Sequence, residues 1–156
     1  MRMLVCLTLT HALWDPAGCA PATPLEEGVK AYNRMRDIED DTQPSELTES
    51  DLAGMKAEYA GVQANLDRLS QGKDESARAA RYFRANFLYE IGFVARLLKH
   101  PKDTYDNWSQ AAADMVFLAD AKNFPVVYPF EGKNRSTRAE DFSPTLLEFY
   151  SGMGSL

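Results

Sequence analysis

The side chains best suited to chemistry in this 156-residue chain are three acids in its second half, Glu90, Asp114 and Asp120. Paired carboxylates of this kind can exchange a proton with a substrate. Glu90 stands among apolar neighbours and Asp114 beside an apolar helical stripe, so both are expected to be partly buried. A partly buried acid more often pairs with an arginine, and Arg84 and Arg96 are the nearest candidates. We therefore predict ion pairs and keep an interhelical pocket lined by Glu90 and Asp114 as the alternative.

Metal and nucleophilic chemistry is limited by how few histidines and cysteines the chain has. Beyond residue 18 only Cys19 and His100 remain. The sequence therefore predicts no disulfide, no zinc site and no catalytic cysteine–histidine pair. His100 follows Lys99 at the expected end of a helix, where a cation complements the carbonyl groups. We predict no metal, no cofactor and no catalytic residue.

Two charged clusters are candidate binding surfaces. An acidic stretch lies within residues 37–51, but it lacks the glycine and the alternating aspartates of a calcium loop, so we interpret it as solvated. A basic and aromatic patch nearer the C-terminus is suited to anionic headgroups or an acidic partner, although a tail rimmed by solvated charge is the commoner outcome. With a formal net charge of −6, we expect no nucleic-acid partner. The patch consists of Tyr128, Phe130, Lys133, Arg135 and Arg138.

Residues 1–22 have the layout of a secretory signal. Arg2 precedes a mostly apolar run over residues 3–14, and small residues follow the breaker Asp15-Pro16. The run is shorter than the ~20 apolar residues that span a bilayer. We therefore predict export.

Two cleavage sites are compatible with this signal. Ala17-Gly18-Cys19 resembles the lipobox of bacterial lipoproteins, although Pro16 stands where that family has an aliphatic residue. The resemblance implies that Cys19 is lipidated and becomes the N-terminus, with several acyl chains as a stable membrane anchor. The rival exit, Ala20-Pro21-Ala22, would instead release a soluble periplasmic protein that begins at Thr23.

Residues 23–156 are predicted to form one all-α domain, an antiparallel four- to five-helix bundle. Apolar residues recur every three or four positions, and threonines or aspartates stand at the expected helix starts. Residues 124–142 are predicted to form an extended C-terminal segment. Its first part, residues 124–130, has too many prolines for a helix and is expected to lie over the bundle. A polar loop is expected over residues 131–138. The predicted helices are 23–39, 48–72, 74–99, 103–123 and 145–150.

The second and third helices are expected to differ in their surfaces. A stripe of small residues, Ala53, Ala57, Ala60 and Ala64, runs beside the apolar seam of the second helix and predicts a second packing face. The third helix is apolar nearly all round, which predicts that it forms the core. In that helix Phe87→Ala should cost ~3–5 kcal/mol.

Two motifs on the third and fourth helices alternate large and small residues: Leu88-x-x-Ile91-Gly92-x-x-Ala95 and Thr104-x-x-x-Trp108-x-x-Ala111. Together they resemble one tetratricopeptide repeat, with Ala95 and Thr104 departing from its tyrosine and alanine. Gly92 inside a helix is expected where a neighbouring backbone comes close. The resemblance covers about a quarter of the chain. It implies tetratricopeptide-like stacked helical hairpins with a protein-binding or scaffold role, and a plain bundle stays equally open.

These features predict an exported, non-enzymatic scaffold or partner-binding subunit of a bacterial cell-envelope assembly. The membrane contact would be a lipid on Cys19, and the partner a protein. The expected binding surface joins Ala53 of the small-residue stripe to the aromatics Tyr82, Tyr89 and Trp108. The alternative is a periplasmic small-ligand binder or enzyme that uses the interhelical carboxylates.

Overall fold

Four helices pack together in the computed structural model, which describes residues 22–137 and Ser151. The predicted helical bundle is confirmed. Cys19, Arg138 and the predicted fifth helix lie outside the described residues. The elements, in chain order, are α1 (Pro24–Asp40), α2 (Glu49–Ser70), α3 (Glu75–Leu97), α4 (Pro101–Leu118), a 3-10 turn (Ala121–Asn123), β1 (Val126–Phe130) and β2 (Lys133–Thr137).

Three of these helices begin where the sequence predicts. Thr23 and Thr48 each accept a hydrogen bond from the backbone N–H three residues later. The acids at those later positions, Glu26 and Asp51, accept one in return from the threonine N–H, which completes two capping boxes. Asp74 caps α3 in the same way with its own carboxylate. Local side-chain chemistry therefore fixes all three starts.

The fourth helix begins two residues earlier than predicted. Pro101 occupies its first turn, where the fixed φ of proline suits a helix and no N–H is needed. His100 is the N-cap residue and makes no side-chain capping bond. The expected cap, Asp103, instead binds Lys56 of α2, with Oδ2 2.6 Å from Nζ. The predicted start at Asp103 is therefore wrong, because Pro101 already begins the helix and Asp103 lies within its first turn, paired with Lys56.

The core is organised around α3, as predicted. This helix runs antiparallel to α2 and α4 and parallel to α1, and its side chain Phe87 is fully buried. Tyr32 of α1 packs edge-on against Phe83 and Phe87, with ring centroids 5.6 and 5.3 Å apart. Tyr59 of α2 lies 5.2 Å from the same Phe87 ring. The aromatic centre thus joins the first three helices.

Gly92 makes room for the largest side chain between α3 and α4. A Cβ at this position would lie 2.4 Å from Cδ1 of Trp108. The indole is 1% exposed, and its Nε1–H donates to the carbonyl oxygen of Tyr89 at 3.1 Å. The close approach expected at Gly92 is present, but the neighbour is a side chain and not a backbone.

The predicted polar loop over 131–138 contains a strand. β2 pairs with β1 in antiparallel register, with Phe130 opposite Lys133 beside the turn. Glu131 and Gly132 form the two-residue turn with φ of 51° and 71°. Two positive φ angles belong to the tight turn whose twist matches that of a hairpin. The predicted extended segment is thus β1, which lies against α1 and α3 as predicted and pairs with β2.

Candidate functional site

The two acids of the alternative pocket face different neighbours. Glu90 accepts a hydrogen bond from Arg36 of α1, whereas Asp114 of α4 accepts from Arg81 and Arg84 of α3. A helix turns about 100° per residue, so Glu90 and Arg81 lie on opposite sides of α3. The backbone of α3 therefore separates Glu90 from Asp114. The prediction of one pocket lined by both acids is wrong.

Asp114 forms a structural tie between three helices. Its carboxylate is fully buried and binds Arg84 through two bonds, with Nε–Oδ2 at 2.6 Å and Nη2–Oδ1 at 2.9 Å. Arg81 adds a third bond at 3.0 Å. Arg84 also donates to Asp67 of α2 at 2.9 Å. The predicted pairing with Arg84 is confirmed, and both oxygens of this buried acid are bound by arginines.

Glu90 belongs to a cluster in which three acids share one arginine. Arg36 lies 3.0 Å from Glu90, 2.8 Å from Glu39 and 2.9 Å from Asp40. Burial raises the pKa of Glu90 to about 7, and the negative charge of Glu39 adds to that rise. Burial likewise raises the pKa of Glu39. One guanidinium cannot fully compensate three carboxylates, so this contact between α1 and α3 is sensitive to protons near neutral pH.

The residues predicted to bind a partner do not share one surface. Trp108 and Tyr89 are buried, at 1% and 8% exposure, and Arg96 lies over the indole 5.8 Å from its centroid. Ala53 is exposed on α2, as is the rest of the small-residue stripe. The predicted second packing face of α2 is therefore not used within residues 22–137. Tyr82 is partly exposed and lines a groove.

The other sequence candidates make surface contacts. His100 stands at the end of α3, as predicted, with its N–H bonded to the carbonyl oxygen of Ala95 at 2.8 Å, and its side chain lies 2.8 Å from Glu49 at the start of α2. Asp120 pairs with Lys122 at 2.6 Å, and Asp51 of the acidic stretch caps α2. In the part of the chain that the structure describes, no group of three His, Cys, Asp or Glu side chains could hold a metal ion. No helix there has the length and apolar character to cross a membrane.

An open groove of about 370 Å³ lies between α1, α3 and the β-hairpin, and we call it the aromatic groove. Its floor is a continuous series of ring contacts. Phe83 lies 5.6 Å from Tyr32 and 4.9 Å from Tyr128, both edge-on, and Tyr128 stacks on Tyr82 at 6.3 Å. Phe130 of β1 adds a fifth ring. Three elements, α1, α3 and β1, therefore build this floor from residues far apart in sequence.

The polar lining of the aromatic groove contains one cation and no acid. Arg135 of β2 is exposed, its guanidinium carbon lies 5.6 Å from the centroid of Phe130, and it has no acidic partner among residues 22–137. The Asn33 amide and the Tyr128 hydroxyl form no hydrogen bond within those residues. Burial raises the pKa of Tyr32 well above its ordinary value, so this hydroxyl stays protonated and can donate. The groove thus offers hydrogen-bond donors and a positive charge.

The sequence identifies four of the eight residues that line this groove, including Tyr82, which is predicted to bind a partner. The basic and aromatic patch included Tyr128, Phe130 and Arg135, whereas Lys133 of that patch is exposed outside the groove. Tyr32 is not among the predicted site residues, because it follows the three- and four-residue spacing of the apolar residues of α1. Its polar tip was the available signal, because a tyrosine on such a stripe often has its hydroxyl at a surface.

No known protein family, curated protein or solved structure matches this chain. The resemblances to a tetratricopeptide repeat and to bacterial lipoproteins therefore remain predictions. Function has to be inferred from the groove and from the sequence of the N-terminal region.

Proposed function

We propose that this protein is an exported, lipid-anchored and non-enzymatic subunit of a bacterial cell-envelope assembly that binds a protein partner in the aromatic groove. The observation that supports binding is the lining of this groove: five aromatic rings, one arginine and no acid. Its volume of about 370 Å³ falls in the ~300–1,000 Å³ range typical of ligand sites. Tyrosine, phenylalanine and arginine are also the residues enriched in the centre of protein interfaces.

The ion pairing of the buried acids favours binding over catalysis. A general acid or base must reach a proton of the substrate. Asp114 is enclosed by Arg81 and Arg84, and Glu90 is 12% exposed behind Arg36. Neither acid lines the aromatic groove. The groove can hold a partner, but it brings no acid–base group to it.

A periplasmic enzyme or small-ligand binder is the second candidate, and one observation favours it. The pKa of Glu90 is raised to about 7, which is where a general acid or base works best. A catalytic Glu90 would require a substrate to displace Arg36. Binding of a small molecule that Glu90→Gln abolishes, with no protein captured at the aromatic groove, would favour this candidate over the first.

A photo-crosslinking amino acid placed in the groove tests the binding site in intact cells. At Asn33, which lines the aromatic groove, we expect an adduct of defined mass with one envelope protein. At the control position Ala53, exposed on the small-residue stripe, we expect none. An adduct at Ala53 alone would show that the partner binds the small-residue stripe and not the groove. The absence of an adduct at both positions would contradict a protein partner.

Lipid anchoring rests on Cys19 and is tested with a matched cysteine control. Cys19→Ser should abolish incorporation of labelled palmitate and release the protein from the membrane fraction, because the acyl chains are the proposed anchor. Cys6→Ser, within the apolar run, should leave both unchanged. A mature N-terminus at Thr23 by mass spectrometry would contradict the anchor and favour the soluble periplasmic form.

A further inference from the structure

We infer that the aromatic groove takes a short acidic peptide segment, in which a carboxylate pairs with Arg135 and the neighbouring apolar side chain packs on the aromatic floor. This inference rests on the proposed function and specifies the chemistry of the partner. It follows from the charge of the groove, from the hydrogen-bonding groups that it presents and from the arrangement of its rings.

The charge at the groove is opposite to that of the whole chain. The protein has a formal net charge of −6, yet the groove is lined by Arg135 and by no acid. The nearby acids Glu26 and Glu131 line a separate depression of about 120 Å³, which shares Phe130 with the groove and also contains Lys30. An acidic group is therefore attracted to the groove at Arg135, although the chain as a whole is acidic.

The hydrogen-bonding groups of the groove fit a ligand rich in acceptors. The guanidinium of Arg135 has five N–H donors and no acceptor. The Tyr32 hydroxyl is protonated, and the Tyr128 hydroxyl and the Asn33 amide have no partner within residues 22–137. Carboxylate and peptide carbonyl oxygens are the acceptors that such donors bind, and charge-assisted bonds from arginine are the strongest of them.

The ring arrangement favours a peptide over a sugar. A sugar ring binds by stacking on a free aromatic face, but Tyr82 and Tyr128 already stack on each other with planes only 13° apart. Tyr32 and Phe83 meet edge-on, at an interplanar angle of 68°. The floor is therefore uneven, with apolar ring edges between the polar hydroxyl tips. Such a floor accepts an aliphatic or aromatic side chain more readily than a flat sugar.

Selection from a phage-displayed library of random peptides against the purified full-length chain tests this chemistry. We expect enriched peptides to carry aspartate or glutamate next to an aromatic or aliphatic residue. Binding of a synthetic copy should weaken at least about tenfold in Arg135→Glu, which removes a charge-assisted bond and adds repulsion. The matched control is Lys133→Glu, which makes the same charge change on the same strand outside the groove and should weaken binding clearly less than Arg135→Glu, because it keeps the charge-assisted bond.

Three results would overturn the inference: no peptide enrichment, enriched peptides without an acid, or equal losses in Arg135→Glu and Lys133→Glu. Binding of a galacturonate tetramer that depends on Arg135, without peptide enrichment, would assign the groove to anionic glycans. If the Asn33 adduct still formed in cells under any of these results, the proposed function would stand and only the acidic chemistry would fail. Loss of the Asn33 adduct as well would contradict both the proposed function and the acidic chemistry of the partner.

Discussion

Gly92 has no Cβ, and the Trp108 indole fills the space where a Cβ would lie. In Gly92→Ala the new Cβ would lie 2.4 Å from Cδ1 and 2.5 Å from Nε1 of an indole that is hydrogen-bonded and buried. Overpacking of this kind costs up to about 3 kcal/mol, against a helix-propensity gain of about 1 kcal/mol. We therefore expect the free energy of unfolding in urea to fall by about 2 kcal/mol.

Gly61 provides the matched control for this prediction. It also lies inside a helix, but a Cβ there would meet no atom within 4 Å. Gly61→Ala should therefore raise the free energy of unfolding by ~0.5–1 kcal/mol. If both substitutions stabilised the protein, the close packing of α3 against Trp108 would be refuted.

Glu90 should make stability depend on pH between about 4.5 and 7. Its pKa is raised from an ordinary 4.5 to about 7, so the folded protein holds this proton more tightly than the unfolded chain. The stabilisation is complete below pH 4.5 and is lost as the pH rises through about 7. At about 1.36 kcal/mol per unit, the whole difference is on the order of 3 kcal/mol. The charged groups that face Glu90 all come from α1 and are Arg36, Glu39 and Asp40, with Tyr32 beside them.

Urea unfolding near pH 5 and near pH 8 measures this effect. The stability of the wild type relative to Glu90→Gln should fall by roughly 2–3 kcal/mol between these values, because glutamine does not titrate. Glu58→Gln, which removes a carboxylate from the surface pair with Arg34, should keep the pH dependence of the wild type. Parallel curves for the wild type and Glu90→Gln would show that Glu90 is not the titrating group.

At the scale of elements, Arg84 and Asp114 hold α2, α3 and α4 together. Asp114→Asn keeps the shape of the side chain but leaves Arg81 and Arg84 without their buried counter-charge. Breaking a buried ion pair typically costs ~3–5 kcal/mol, and we expect a loss near the lower end in chemical denaturation. Asp67→Asn removes the half-exposed partner of the same Arg84 and should cost less than about 1 kcal/mol. Equal losses would contradict this role for Asp114.

The elements that could be predicted from the sequence are those that local contacts determine. The capping boxes at Thr23 and Thr48 involve residues only three positions apart, so the sequence shows them directly. The start of α4 could not be predicted in this way, because Asp103 binds Lys56 of another helix. β2 was missed because four of its five residues are exposed, so it lacks the alternation that identifies a strand. Its turn also carries Glu131 at a positive φ, where asparagine is the usual signal.

At the scale of the whole molecule, the candidate site depends on where the hairpin docks. Tyr128, Phe130 and Arg135 could be identified together because they are close in sequence. Tyr32 and Phe83 could not, since an aromatic residue on an apolar stripe has the same pattern whether it faces the core or a groove. The groove exists only once β1 lies across α1 and α3, and that arrangement is a long-range result of folding.

The measurement that tests the central claim most directly is the yield of the Asn33 crosslink in cells that carry charge variants of β2. If a partner occupies the aromatic groove through Arg135, then Arg135→Glu should abolish the adduct, while Lys133→Glu should reduce its yield much less. An Asn33 adduct that survives Arg135→Glu, or that is lost equally in both variants, would contradict binding of the partner through Arg135.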